Sequence, residues 1–215
     1  MRQPATYYHV KNSTARIQVH QGGTRSGKSF SILTAIIELC YLNENAGAVI
    51  TIVRKTFPAV RATIMRDFFE ILEREGIYDV NQHNKSEATY LLFGNLVEFV
   101  SIDQPQKIRG RKRSLLFANE ANELDLESWR QLIMRTTGIP NGPAIIIDYN
   151  PSGEFHWIYD HVLTRPDHEF FQTTYKDNPF LPESTVAEIE RLKEADHDYW
   201  RVYGLGERGV SRATI

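Results

Sequence analysis

Residues 22–29 read Gly-Gly-Thr-Arg-Ser-Gly-Lys-Ser, the spacing of a loop that cradles phosphate. Each residue type has its own task there. Gly22 and Gly27 let the backbone curl around an anion without a Cβ in the way. Successive N–H groups across Gly23, Thr24, Arg25 and Ser26 can then point at phosphate oxygens. Lys28 brings a point charge to the β- and γ-phosphates, and the Ser29 hydroxyl can ligate Mg²⁺. The residues after Lys28 look helical, so the positive end of a helix dipole faces the same anion. Ile17-Gln18-Val19-His20 alternates apolar and polar as a strand does, giving strand, loop and helix in the required order. This combination predicts a nucleoside triphosphate site.

If that loop closes a parallel strand, other functional groups belong at the carboxyl ends of neighbouring strands. Asn119 and Glu120 follow the apolar run Leu115-Leu116-Phe117-Ala118. An acidic pair in that place commonly holds Mg²⁺ through water with its first acid, while a neighbouring Glu polarises the attacking water. With Asn119 in the first position, the amide can still hold a magnesium-bound water but brings no charge. Mg²⁺ is then expected to rest more heavily on Ser29 and the phosphates. Glu120 is the expected catalytic base, with Glu123 as a substitute; alternatively Asn119-Glu120 caps the next helix. Asn150, in Asn150-Pro151-Ser152 after a second apolar run, is placed to sense the γ-phosphate, or else marks a simple turn.

Cations form the third group. Lys107-Ile108-Arg109-Gly110-Arg111-Lys112-Arg113 carries five of them in seven residues. Such a run is either a solvated loop or the source of an arginine finger, with Arg109 first and Arg111 second. Lys112 and Arg113 are alternatively contacts for DNA phosphates. Arg25 can reach the γ-phosphate from within its own subunit or point outward. Arg54-Lys55 ends another strand and can meet nucleotide or nucleic acid backbone, or be ordinary surface charge. Tyr7 and Tyr8 can stack on a nucleobase or join the core. The histidines show no metal spacing.

These groups need a scaffold, and the pattern supplies one. Residues 48–53, 114–118 and 144–149 are short β-branched apolar runs of the kind buried on both sheet faces. Residues 90–93 and 96–102 flank Gly94-Asn95, a hairpin signal. Residues 170–174 add another strand. Pro58 opens a helix whose stripe is Val60, Ile64, Phe68, Ile71 and Leu72, ended by Gly76. Further helices are expected over 126–137, 182–195 and 198–203. Strands alternating with helices predict an α/β fold with a mainly parallel central sheet flanked by helices. A chain of 215 residues suffices for one such domain, and its net charge of −2 announces no global field for nucleic acid. The single cysteine, Cys40, excludes internal disulfides and cysteine-rich metal sites. No run of 18 apolar residues occurs and residues 1–4 lack an apolar signal core, so a soluble cytoplasmic protein is expected.

Several runs together resemble the N-terminal ATPase domain of the large terminase subunit, the DNA-packaging motor of tailed bacteriophages. They are the 22–29 loop, Val53-Arg54-Lys55-Thr56-Phe57-Pro58, Asp103 through Lys107-Ile108-Arg109-Gly110, Phe117-Ala118-Asn119-Glu120-Ala121, Asp148-Tyr149-Asn150-Pro151, and the closing Tyr203-Gly204-Leu205-Gly206-Glu207-Arg208-Gly209. The resemblance implies a P-loop NTPase of the RecA-like, extra-glutamate (ASCE) type that hydrolyses ATP with Mg²⁺. Residues 1–205 would form the ATPase domain and 206–215 the start of a linker. It implies Glu120 as the catalytic glutamate, Asn150 as the coupling residue, Arg25 as an arginine acting in cis, and Arg109 or Arg111 as one acting in trans. It also implies double-stranded DNA, a portal protein and a small terminase subunit as partners, a homo-oligomeric ring of usually five subunits, and work in the host cytoplasm away from membranes. Two departures stand out. Asn119 replaces the usual acid, and the family's C-terminal nuclease of the RNase H type lies outside these 215 residues, so no nuclease activity is expected. Competing expectations are a P-loop kinase or nucleotide switch, and a helicase-like module.

Overall fold

The computed structural model describes residues 2–151, 153 and 156–209. Its centre is an eight-stranded sheet in the order β3-β4-β5-β2-β6-β7-β1-β8. The strands are β1 (Ile17–Gly22), β2 (Val49–Arg54), β3 (His83–Asn84), β4 (Thr89–Leu92), β5 (Asn95–Ser101), β6 (Leu115–Ala118), β7 (Ile145–Tyr149) and β8 (His168–Thr173). From β5 to β8 every pairing is parallel, and only the β3–β4–β5 edge is antiparallel. The expected mainly parallel α/β sheet is therefore present.

Alternation along the strands splits side chains between two covered faces. Leu115, Phe117, Ile146, Ile50 and Ile52 face one core with Ile32, Leu33 and Ile36 of α2 (Lys28–Leu42) and Phe68, Ile71 and Leu72 of α4 (Arg66–Arg74). Leu116, Ala118, Ile145 and Ile147 face a second core with Trp129 and Leu132 of α6 (Leu126–Met134) and Ile158 and Val162 of a π-helical turn. A small third cluster, Tyr175, Ile189 and Trp200, ties α7 (Glu183–Ala195) to the π-helical turn Trp200–Gly204. No described helix is long and apolar enough to cross a membrane.

Three details stand out. The alternation of β1 does not separate core from water: all six of its residues are buried, because both faces of the sheet are covered there, with Ile17 and Val19 packing in the second core. Its polar side chains take buried partners instead, Gln18 Nε2 donating to the Val10 carbonyl at 3.1 Å and Gln21 Nε2 to Gly206 at 2.7 Å. The hairpin turns at Phe93-Gly94, both at positive φ (50° and 75°), rather than at Gly94-Asn95. Asn95 already pairs with Leu92, and its buried amide bridges Ala48 N–H and the Cys40 and Asn43 carbonyls. Finally, the helix opened by Pro58 runs through a π-helical stretch, Arg61–Met65, between α3 (Phe57–Val60) and α4. Its expected stripe is nevertheless buried throughout.

Candidate functional site

The loop between β1 and α2 wraps the amino end of α2, and its shape depends on glycine at two places. Gly27 has φ +81°, the left-handed region that costs a side-chain-bearing residue steric strain. Gly23 lies against the C-terminal segment so tightly that a Cβ there would sit 2.4 Å from the Tyr203 carbonyl oxygen. Thr24 N–H donates to that same carbonyl at 2.6 Å. Arg25 has φ 66°, and its carbonyl accepts from Asn178 Nδ2 at 3.0 Å. Thus β8, Asn178 and the Trp200–Gly204 turn surround the loop, with Pro4, just before α1 (Ala5–Asn12), also 3.3 Å from a Cβ built on Gly27.

Lys28 Nζ lies in a nest of oxygens: the Gly22 and Gly23 carbonyls at 3.0 and 3.1 Å, Ser26 Oγ at 3.2 Å and Asn150 Oδ1 at 3.1 Å. Burial pushes its pKa below the ordinary lysine value, while the carboxylates of Asp148 and Glu120 oppose that shift. Asn150 is therefore brought to the loop as expected. Ser152, two residues on, lies outside the described residues.

At the centre sits a residue that motif spacing alone does not single out. Asp148, at the carboxyl end of β7, is 1% exposed. Its Oδ2 accepts from Ser29 Oγ at 2.5 Å, and its Oδ1 accepts from the Glu120 N–H at 2.9 Å and from Asn119 Nδ2 at 2.9 Å. Asn119 Nδ2 also lies 3.1 Å from Ser29 Oγ. Burial pushes the Asp148 carboxyl upward, and the Lys28 ammonium and these donors pull it back. The available signal was an acid at the end of the run Ala-Ile-Ile-Ile, where an uncompensated buried carboxylate costs several kcal/mol.

Glu120 follows β6 in the left-handed region, at φ 50° and ψ 52°. Such backbone costs on the order of 1 kcal/mol or more for a residue with a side chain and concentrates at functional sites. Among the described residues no side chain donates to its carboxylate. Burial, then the neighbouring Asp148 charge, raises its pKa to about 7. Glu123, the alternative base, is instead gripped by Arg54, whose Nη2 lies 3.3 Å from Glu123 Oε1 and whose Nη1 donates to Thr63 Oγ1 at 2.8 Å. Arg54, read as a contact for nucleotide or nucleic acid backbone or as ordinary surface charge, has its guanidinium engaged within the chain.

The cationic run divides. Arg113 is 1% exposed, and its guanidinium donates to Thr51 Oγ1, the Leu132 carbonyl and the Ile108 carbonyl at 3.3, 3.1 and 3.0 Å. It is a core strut, which corrects its reading as a DNA contact. Arg111 pairs with Glu98 Oε2 at 3.0 Å while its side chain stays 57% exposed. Arg109, ending α5 (Pro105–Arg109), reaches Gln131 Oε1 at 3.4 Å. Strand β5, which precedes both, is four places from β1 in the sheet, roughly 19 Å at about 4.8 Å per strand. Neither arginine is brought to the phosphate loop of its own chain. Tyr7 bonds Glu38, whereas Tyr8 lines a cavity of about 280 Å³ with Arg2, Gln3, Ala5, His9, Lys176, Asp177 and Pro179.

Ser29 and Asp148 together present a hydroxyl and a carboxylate, hard oxygen donors of the kind that suit Mg²⁺ bound with phosphate. No group of three or more His, Cys, Asp or Glu able to hold a metal by themselves occurs among the described residues. A cation here would share its shell with a ligand's oxygens.

The sequence profile of the phage terminase large subunit family matches residues 14–207. The PBSX phage terminase large subunit of Bacillus subtilis (strain 168) is 27% identical over 227 aligned positions, covering 94% of this chain and 52% of that protein. Among solved structures, the large terminase of a thermophilic bacteriophage superposes with a TM-score of 0.81 at 17% identity, over 98% of this chain and 55% of the other. The same thermophilic phage protein in complex with ADP gives 0.76 at 19% identity, over 98% and 54%. The large terminase ATPase domain of Thermus phage P74-26 gives 0.68 at 17% identity, over 96% of this chain and 94% of that domain. The chain spans about half the length of the curated relative, and these structural likenesses establish the fold. With the profile covering nearly all of it, and with the phosphate loop and its strand-end partners in place, the chain belongs to the phage terminase large subunit family.

Proposed function

We propose that this chain hydrolyses ATP with Mg²⁺ and that the energy drives double-stranded DNA into a viral procapsid. The observation that carries the reading is convergence. Separate segments of the chain deliver Lys28, Ser29, Glu120, Asp148 and Asn150 to one sheet edge, linked by hydrogen bonds of 2.5 to 3.1 Å. Membership of the family and the ADP complex of the thermophilic phage large terminase support it.

In this reading the amides of the 22–29 loop bind the phosphates, and the Lys28 ammonium turns from its oxygens toward the β/γ bridge. Ser29 offers its hydroxyl oxygen to the cation. When bound, Mg²⁺ would neutralise charge developing on the phosphate oxygens. Glu120, held by the Asp148 carboxyl at its N–H, accepts a proton from the attacking water. Asn150, touching Lys28, transmits the change at the γ-phosphate to β7. Arg25 serves its own subunit, and Arg109 or Arg111 serves the next one, in keeping with their distance from their own loop. Assembly as a ring, usually of five subunits, around DNA on a portal protein, with DNA delivered by a small terminase subunit in the host cytoplasm, completes the proposal.

The experiment is phosphate release from ATP with no acceptor present, with and without double-stranded DNA. Release in the absence of acceptor supports a hydrolase. Turnover only with an added small acceptor would point to a kinase instead.

A further inference from the structure

Position 119 carries an amide where an acid is expected, and the missing carboxylate has a visible counterpart. Ala118 of β6 is in register with Ile147 of β7, so Asn119 and Asp148 are the next facing pair. The two positions are one strand spacing apart, about 4.8 Å, at the same sheet edge. An Asp on both strands would set two carboxylates side by side, each disfavouring the other's charge. This chain keeps one, and places it on the strand beside the phosphate loop.

We propose that Asp148 supplies the carboxylate that orients the Mg²⁺ shell, and that Asn119 is a positioning residue acting through it. This rests on the reading of the site as a magnesium–nucleotide site. The Ser29 hydroxyl donates its proton to Asp148 Oδ2 at 2.5 Å and accepts from Asn119 Nδ2 at 3.1 Å, which leaves one oxygen lone pair for a cation. That is the arrangement by which an outer carboxylate orients an inner ligand. Asn119 Nδ2 spans both Asp148 oxygens, at 2.9 and 3.2 Å, and fixes the rotation of the carboxylate. The Glu120 N–H donates to the same group at 2.9 Å, so one aspartate ties cation ligand and base together. The Asp148 carboxylate is 1% exposed and is held by hydrogen bonds from Ser29, Asn119 and Glu120, all of them at the carboxyl ends of the strands beside the phosphate loop or in its first helical turn.

The test measures Mn²⁺ binding by electron paramagnetic resonance with ADP present, beside ADP affinity in EDTA. D148N is expected to weaken Mn²⁺ by about ten- to a hundredfold, the range for loss of an outer-shell partner, and to change ADP affinity in EDTA by a much smaller factor. Adding N119A to D148N is expected to cause no further loss; an additional loss assigns Asn119 its own contact and overturns its positioning role. ADP binding with undiminished Mn²⁺ affinity in D148N overturns the proposal alone. Wild-type protein that binds neither Mn²⁺ nor ADP overturns it together with the nucleotide reading. Should D148N fail to fold, wild-type protein labelled with ¹³C at aspartate carboxyl carbons decides. A ¹³C coupling to ADP-bound Mn²⁺ is expected, and its absence overturns the proposal.

Discussion

Lys28 Nζ and Asn150 Oδ1 lie 3.1 Å apart, joining the phosphate loop to the end of β7 through one hydrogen bond. A carboxylate in place of that amide would hold the ammonium as an ion pair and compete with phosphate. Asn150→Asp is therefore expected to weaken ATP binding by about tenfold, or ~1.4 kcal/mol. Titration of wild type and variant with a fluorescent nucleotide checks this; equal affinities would separate Asn150 from Lys28 energetically.

Gly23 meets the carbonyls of Tyr203 and Gly204 so closely that any Cβ must push the segment away. Gly23→Ala should destabilise the fold by about 1–3 kcal/mol through this overpacking. Each kcal/mol corresponds to roughly 2–4 °C for a chain of this size, so a thermal melt resolves it. An unchanged melting temperature would show that the Trp200–Gly204 turn is not seated on the loop.

The cationic run should separate by burial. Arg113→Ala strands three buried acceptors, at about 1–3 kcal/mol each, and is expected to cost at least about 3 kcal/mol, with DNA binding lost only through unfolding. Arg109→Ala should leave folding and nucleotide affinity intact while lowering turnover in assemblies. Mixing it with Glu120→Gln subunits should restore part of that turnover if Arg109 serves a neighbour. Denaturant unfolding and phosphate release on the same preparations distinguish these outcomes.

Acid should loosen the sheet through β1. His20 is fully buried, stacked on Phe171 at 5.1 Å, with its Nε2 3.3 Å from Gln18 Oε1. Burial lowers its pKa to about 3, and His9, which also stacks on Phe171 at 4.4 Å, is lowered too. The unfolded chain binds a proton near pH 6.5 that folded His20 refuses. Stability from this residue is thus complete above that pH and falls as pH drops toward 3, by up to about 1.4 kcal/mol per unit. Urea unfolding at stepped pH should show a shallower acid slope in His20→Gln; an identical slope would exclude His20 as a source.

The phosphate loop, the buried strands and the helix stripes were legible because glycine spacing, β-branched runs and 3.6-residue periodicity are local signals. Glu120 and Asn150 were legible as residues that end such strands. Asp148 was not, since its importance arises from register with β6 and from Ser29, neither of which is adjacent in sequence. The same reason hid Arg113, whose burial depends on carbonyls of α5 and α6, and the seating of Tyr203 on Thr24. The helix Ala5–Asn12 also escaped notice, because Pro4 and a short polar-aromatic run carry a weak periodic pattern.

Glu120 as the residue that readies water is the central claim, and one paired measurement addresses it. ADP affinity and steady-state phosphate release are recorded for wild type and Glu120→Gln under identical magnesium concentrations. Unchanged ADP affinity is predicted, with turnover lowered by about 10²–10⁴, the range for removal of a general base. Turnover in Glu120→Gln equal to that of wild type would contradict it.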